Sequence, residues 1–163
     1  MTVALETTLL NLGIHNLDKE GGFQRIEPGI TTGTDIFIGA GVTRRGQTGQ
    51  GIDLCAEIEA LLGFVLGYNT AKETIDDEGY YYRDYDNPFG SGKHVLIGIP
   101  KQGGKYLILS ETNETIELFE KLKCVDGVWK VADTADNYQM IAEEAVTGAG
   151  NVRKYFYATW VKN

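Results

Sequence analysis

Histidine, serine, cysteine and proline are all scarce in this chain, and each scarcity removes a class of function. The 163 residues include two histidines (His15, His94), two serines (Ser91, Ser110), two cysteines (Cys55, Cys124) and three prolines. Neither serine sits in a Gly-x-Ser-x-Gly elbow, the sharp turn that exposes a hydrolase nucleophile. Ser91 and His94 are close in sequence, but triad members are gathered by the fold and no third group accompanies them; His94 reads as the first residue of a strand. The cysteines have no Cys-x-x-Cys spacing and no neighbouring histidine. Each borders a hydrophobic residue, Leu54 or Val125, so both are expected to be buried free thiols and not a disulfide.

Basic residues are also in deficit, 15 Lys and Arg against 23 Asp and Glu, giving a net charge of -8. A nucleic-acid partner is therefore not expected, because affinity for a polyanion comes mainly from cations on its phosphates. Arg44-Arg45 reads as a solvated turn, and Gly46-Gln-Thr-Gly-Gln-Gly51 lacks the Lys-Ser/Thr that completes a phosphate loop. No apolar run approaches the roughly 20 residues that span a bilayer. The start, Met1-Thr-Val-Ala-Leu-Glu6, has no basic region followed by an apolar one, so no secretory signal is read there. The expectation is a soluble protein made in a cytoplasm, with no membrane partner, no cofactor and no enzymatic activity.

What the chain does have is glycine, 21 residues of it, and short stretches rich in β formers. Glycines at positive φ are expected to make the turns. A chain of this length can bury roughly two-thirds of its unfolded surface, and no linker or composition shift divides it. We read residues 1–22 as an N-terminal arm or first strand and residues 23–163 as one mainly β domain with at most one short helix. Pro28-Gly29 supplies a type II turn signal, and Thr34 to Gly39 is a short strand candidate. Asp53 to Leu62 alternates apolar and polar like a half-buried strand, although Ala56 to Leu62 also holds good helix formers; strand is favoured. Gly63-Phe-Val-Leu-Gly-Tyr68 suits a strand with a bulge or close packing. Val95 to Pro100 and Lys105 to Leu109, joined by Lys101-Gln-Gly-Gly104, read as a hairpin. Thr115 to Lys123 reads as a helix, with Ile116, Phe119 and Leu122 three apart, or as two short strands turning near Glu120. Val125-Asp-Gly-Val-Trp129 is a second hairpin signal, and Tyr155 to Val161 is a strand.

The most distinctive stretch is acidic and tyrosine-rich, Asp76-Asp-Glu-Gly-Tyr-Tyr-Tyr-Arg-Asp-Tyr-Asp-Asn-Pro-Phe-Gly90. If extended, it sets Tyr80 and Tyr82 on one face and Tyr81, Arg83 and Tyr85 on the other. Tyrosine and arginine are enriched at protein interfaces, so Tyr80, Tyr81, Tyr82, Arg83, Tyr85 and Phe89 are read as partner-binding. The alternatives are a hairpin packing its rings on the barrel, or a platform for stacking sugars. Asp76, Asp77, Glu78, Asp84 and Asp86 offer carboxylates for calcium, but the EF-hand spacing fails at Pro88-Phe-Gly90, and a solvated acidic loop is the better reading. Glu143 and Glu144 alternate across a strand and cannot act jointly as acid and base. Trp129, Tyr155, Tyr157 and Trp160 read as core or subunit contacts in preference to a ligand site.

Ile26-Glu-Pro-Gly-Ile30, Leu62-Gly-Phe-Val-Leu-Gly67, Leu122-Lys-Cys-Val-Asp-Gly127 and Met140-Ile-Ala-Glu-Glu-Ala145, taken in order, resemble segments of tailed-virus capsid decoration, or cement, proteins. The likeness covers about two-thirds of the chain. It departs at Phe119-Glu120, which stand where a glycine turn is typical, and at the insert from Asp76 to Gly92. The resemblance implies a barrel or β-tulip-like domain with an N-terminal arm. It also implies a homo-oligomer, often a trimer, on the outer capsid surface of a virion, where it bridges subunits of the major capsid protein. A carbohydrate-binding β module, or another virion component such as a head-fibre or tail protein, is the alternative.

Overall fold

A computed structural model of the chain describes residues 18–46, 49–57, 60–69 and 88–162. Among them the ordered elements are all strands: β1 (Asp18–Glu20), β2 (Phe23–Thr31), β3 (Gly41–Arg44), β4 (Gly51–Leu54), β5 (Gly63–Tyr68), β6 (His94–Pro100), β7 (Lys105–Leu109), β8 (Lys121–Val125), β9 (Val128–Val131), β10 (Met140–Ala142) and β11 (Tyr155–Trp160). Five of them close into a barrel in the order β2-β4-β3-β5-β6. The other six form a sheet, β1-β7-β11-β10-β8-β9. That sheet curls back toward itself, because Ser110, just past β7, makes a parallel bridge to Trp129 of β9 and Glu111 N donates to Trp129 O at 2.7 Å.

Barrel and sheet share one core, centred on Phe64 of β5. Its ring lies 5.5 Å from Tyr106, 6.3 Å from Trp129 and 6.4 Å from Trp160, all three from the sheet. Aromatic rings at these separations add to the area they bury. A ring of backbone bonds joins the two parts a second time: Gly41 N donates to Gly127 O, Gly127 N to Cys55 O, and Cys55 N to Gly41 O. A Cβ on Gly41 would lie 2.7 Å from Cys124 Sγ, so only glycine lets the strands approach this closely. Both cysteines are buried and neither is in a disulfide.

The mainly β reading holds, and several of its elements fall where the sequence puts them. Asp126-Gly127, at φ 50° and 84°, form the two-residue turn between β8 and β9, with Val125 opposite Val128; positive φ at both positions is what a type I′ hairpin requires. The register of β5 against β6 slips between Val65 and Gly67, which is the expected bulge. In β11 Phe156, Ala158 and Trp160 are buried and alternate with half-buried Tyr155, Tyr157 and Thr159, the period-2 pattern of a strand.

Other expectations are overturned. Pro28-Gly29 makes no turn but lies inside β2, opposite Leu96 and Val95 of β6. Ile30 N donates away from β6, to Gln50 O, so Pro28, two residues earlier, directs its nitrogen to that same side. There β2 pairs with β4 only at Ile30 and Thr31, and the donor that proline lacks is not needed. Thr34 to Gly39 supplies a single bridge, Ile36 to Phe89, and no strand. Strand β4 stops at Leu54, and the described residues from Cys55 to Leu62 are neither strand nor helix.

The expected β6–β7 hairpin is a corner between the two halves. Its turn is real, with Gly104 N donating to Lys101 O at 2.8 Å and Gly103 at φ 82°. However, β6 bonds to β2 and β5, whereas β7 bonds to β1 and β11. Tyr106 to Leu109 is buried without alternation, and a two-stranded hairpin cannot cover both faces of such a strand. The Tyr106 hydroxyl fastens the corner, donating to Gly22 O at 2.5 Å and accepting from Lys101 N at 2.8 Å. Thr115 to Lys123 is likewise not helical. Ile116 makes a single bridge to Val146, the chain turns at Leu118-Phe119, and β8 begins at Lys121, so of the two short strands in the alternative reading only the second forms.

Candidate functional site

An open cleft of about 830 Å³ lies where the barrel meets the sheet. The segment after β2 contributes Asp35 and Phe37, the end of β4 contributes Leu54, and the end of β7 contributes Leu109. The remaining wall comes from Pro88, Thr112, the β8–β9 turn at Asp126, and Asn151 to Arg153 leading into Tyr155. Arg153 lies over the Phe37 ring, 5.7 Å from its centre, and 3.9 Å from the Glu111 carboxylate; a guanidinium held against an aromatic face is attracted by the ring quadrupole. Tyr155 directs its hydroxyl inward, donating to Ile38 O at 2.8 Å, and so offers the cleft its ring.

The rim is fixed by a reciprocal pair of asparagines. Asn113 Nδ2 donates to Asn151 Oδ1 at 2.7 Å, and Asn151 N donates to Asn113 Oδ1 at 2.9 Å. Both residues sit in the left-handed region, at φ 60° and 54°, where asparagine is enriched among non-glycine residues. Gly148 lies under the pair, and a Cβ there would come within 2.1 Å of Asn113 O. With apolar residues lining it and a mixed rim of Asp35, Asp126 and Arg153, the cleft is equipped to bind. Among the described residues no three of His, Cys, Asp and Glu are placed to hold a metal ion.

A second surface feature is the Leu118-Phe119 turn, whose side chains are 50% and 68% exposed. Phe119 stands at φ 69°. The turn is held by Phe119 N donating to Ala142 O at 2.9 Å, Ala142 N donating to Glu120 O at 2.9 Å, and Glu117 N donating to Glu120 Oε2 at 2.8 Å. On another side of the molecule, Lys123 bonds to the Glu57 carboxylate and, at 2.8 Å, to Asp136. These hydrogen bonds, the one to Asp136 foremost, raise the Lys123 pKa above the ordinary lysine value, and Lys123 in turn lowers that of Asp136.

Of the residues expected to bind a partner, Tyr80, Tyr81, Tyr82, Arg83 and Tyr85 lie outside the described residues. Phe89 is corrected: it is wholly buried, its ring edge-on to Tyr68 at 4.9 Å and its N donating to Ile36 O at 2.6 Å, so it is core. Trp129 and Trp160 are core residues, as read. Ser91 donates to Thr32 O at 3.4 Å, while His94 opens β6 opposite Ile30. The cleft itself escaped the sequence reading because its walls span residues 35 to 155 and come together only when barrel and sheet have packed. One local signal pointed to the Leu118 turn, namely Phe119 standing where a glycine is typical.

No family model matches the chain, and no curated protein matches it. Among solved structures, the N base of head fibre gp8.5 of bacteriophage phi29 is similar at a TM-score of 0.52 and 12% identity, covering 83% of this chain and 92% of that one. The C-terminal fragment of bacteriophage phi29 gene product 12 aligns at a TM-score of 0.45 and 16% identity, covering 84% of this chain and 99% of that one. The chain thus shares its fold with the base of a phage head fibre.

Proposed function

We propose that this protein is a non-enzymatic virion component that attaches to the outside of an assembled capsid, as a decoration protein or as the base module of a head fibre. The observation that carries this reading is the fold shared with the phi29 head-fibre N base over nearly its whole length. The four segments that resemble cement proteins support it independently. In this role the major capsid protein is the partner, and the compact β scaffold serves to hold contact surfaces rigid. Many symmetric copies, each making modest contacts, sum to strong retention on the shell.

The test is to strip virions of the source system, add recombinant protein back and measure co-sedimentation with shells over a concentration series. Saturation at a fixed copy number per shell subunit, together with a higher shell melting temperature, is the expected result. Absence from virions, or binding that does not saturate, overturns the reading.

A further inference from the structure

The two cysteines of the chain, 69 residues apart, meet where barrel and sheet join. Cys55 directly follows β4 of the barrel, and Cys124 lies in β8 of the sheet, opposite Trp129. Cys124 Sγ stands 3.9 Å from Cys55 O, and the Cys124 thiol also donates to the Cys55 sulfur. The backbone on both sides is held by the bonds from Gly41 N to Gly127 O, Gly127 N to Cys55 O and Cys55 N to Gly41 O. A Cβ on Gly41 would lie 2.7 Å from Cys124 Sγ, so the sulfur occupies space that a side chain at Gly41 would take. Two thiols from distant parts of the sequence are thus set face to face by backbone contacts that do not involve sulfur.

We propose that Cys55 and Cys124 are a latent disulfide, which forms by exchange with a low-molecular-weight disulfide such as oxidised glutathione and ties the barrel covalently to the sheet. The thiolate of one cysteine attacks a sulfur of the oxidant, forming a mixed disulfide and releasing one glutathione. The thiolate of the other attacks the protein sulfur of that mixed disulfide, closing Cys55 to Cys124 and releasing the second glutathione. The protein loses two electrons and two protons, and one oxidised glutathione becomes two reduced ones. The cysteines are 1% and 2% exposed, so the first step runs during folding or through local opening of the junction, and the reduced form persists in a reducing compartment. Reclosure of the backbone bonds then holds the two sulfurs together, and side-chain rotation brings them to the bond length of about 2 Å. The bridge closes a long loop, the case in which a crosslink restricts the unfolded chain most.

The test is to refold the full chain from urea at about pH 8, near the ordinary thiol pKa, across a series of reduced-to-oxidised glutathione ratios. Refolding gives the oxidant access that burial would deny. The expected product weighs about 2 Da less than the reduced chain, runs as a single chain on a non-reducing denaturing gel and yields a Cys55–Cys124 peptide on digestion. It should melt about 5 °C higher or more. By linkage, a bridge that stabilises the fold is itself stabilised by the fold, so the proportion of bridged to reduced protein at one glutathione ratio should be at least about tenfold greater in buffer than in concentrated urea. Glutathione adducts without a bridge, crosslinked pairs of chains, equal proportions in buffer and urea, or a bridged protein that melts no higher overturns the proposal. Cys55→Ala and Cys124→Ala should each melt no higher after the same treatment. A rise in either would place the effect of the oxidant elsewhere and overturn the proposal as well.

Discussion

Lys123 lies nearly buried in β8 with a carboxylate from each side of the molecule's seam, Glu57 from the segment after β4 and Asp136 from the segment after β9. Its pKa is raised by those partners and that of Asp136 is lowered, and the two signs define a pH window. The raised lysine stabilises the fold below the ordinary lysine range and loses that contribution as pH rises through its folded pKa. The lowered aspartate stabilises above the ordinary aspartate range, about pH 4, and loses its contribution as pH falls through its folded pKa. Asp136→Asn should therefore destabilise the protein more at about pH 7 than at about pH 2, because the contribution of the charged carboxylate declines as pH falls below the ordinary aspartate range. Urea unfolding at both pH values measures this; an equal penalty at both would assign the effect to packing. Cys124 is a contrasting case, its thiol pushed up by the hydrogen bond it donates to Cys55 and by burial, which keeps its sulfur neutral and unreactive in the folded core.

Among the elements, β5 and β6 cross at two glycines that leave no room for anything larger. A Cβ on Gly63 would stand 2.3 Å from Gly98 O, and one on Gly98 would stand 2.6 Å from the Phe23 ring, which stacks on Tyr106 at 4.9 Å. Gly98→Ala should displace Phe23 and cost about 1–3 kcal/mol, the usual range for overpacking. In a Phe23→Ala background the added cost should shrink, and undiminished cost would mean that the strain lies in the backbone. Legibility in the sequence follows the same division between local and distant causes. The β8–β9 hairpin, the β5 bulge and β11 were readable because Asp126-Gly127, Gly67 and the alternation from Tyr155 to Trp160 each act within a few residues. The β6–β7 corner and the in-strand Pro28 were not, because each depends on which strand lies alongside. The three-residue spacing of Ile116, Phe119 and Leu122 imitated a helix, although Ile116 and Leu122 are buried while Phe119 is exposed.

At the scale of the whole molecule, the barrel and the sheet are too tightly interlocked through Phe64 and the Gly41–Cys55–Gly127 bonds to unfold apart. Trp129 and Trp160 both belong to the sheet, while Gly98 belongs to the barrel. Gly98→Ala should therefore move the tryptophan-fluorescence midpoint as far as the circular-dichroism midpoint, as two-state unfolding requires; a fluorescence transition left in place would mean independent halves. The mainly β class was legible at this scale from glycine content and β formers, whereas the cleft was not, since its residues converge only once both sheets are built. Pro28 has a consequence here beyond its own strand. Among the described residues no strand pairs with the side of β2 that β4 leaves open from Phe23 to Gly29, and exposed Ile26 would make it an inviting template for stray strands. A missing amide midway, with the Arg25–Glu27 and Arg44–Glu27 ion pairs across it, breaks the row of donors that such templating needs. The fold is thereby guarded against aggregating through its own barrel.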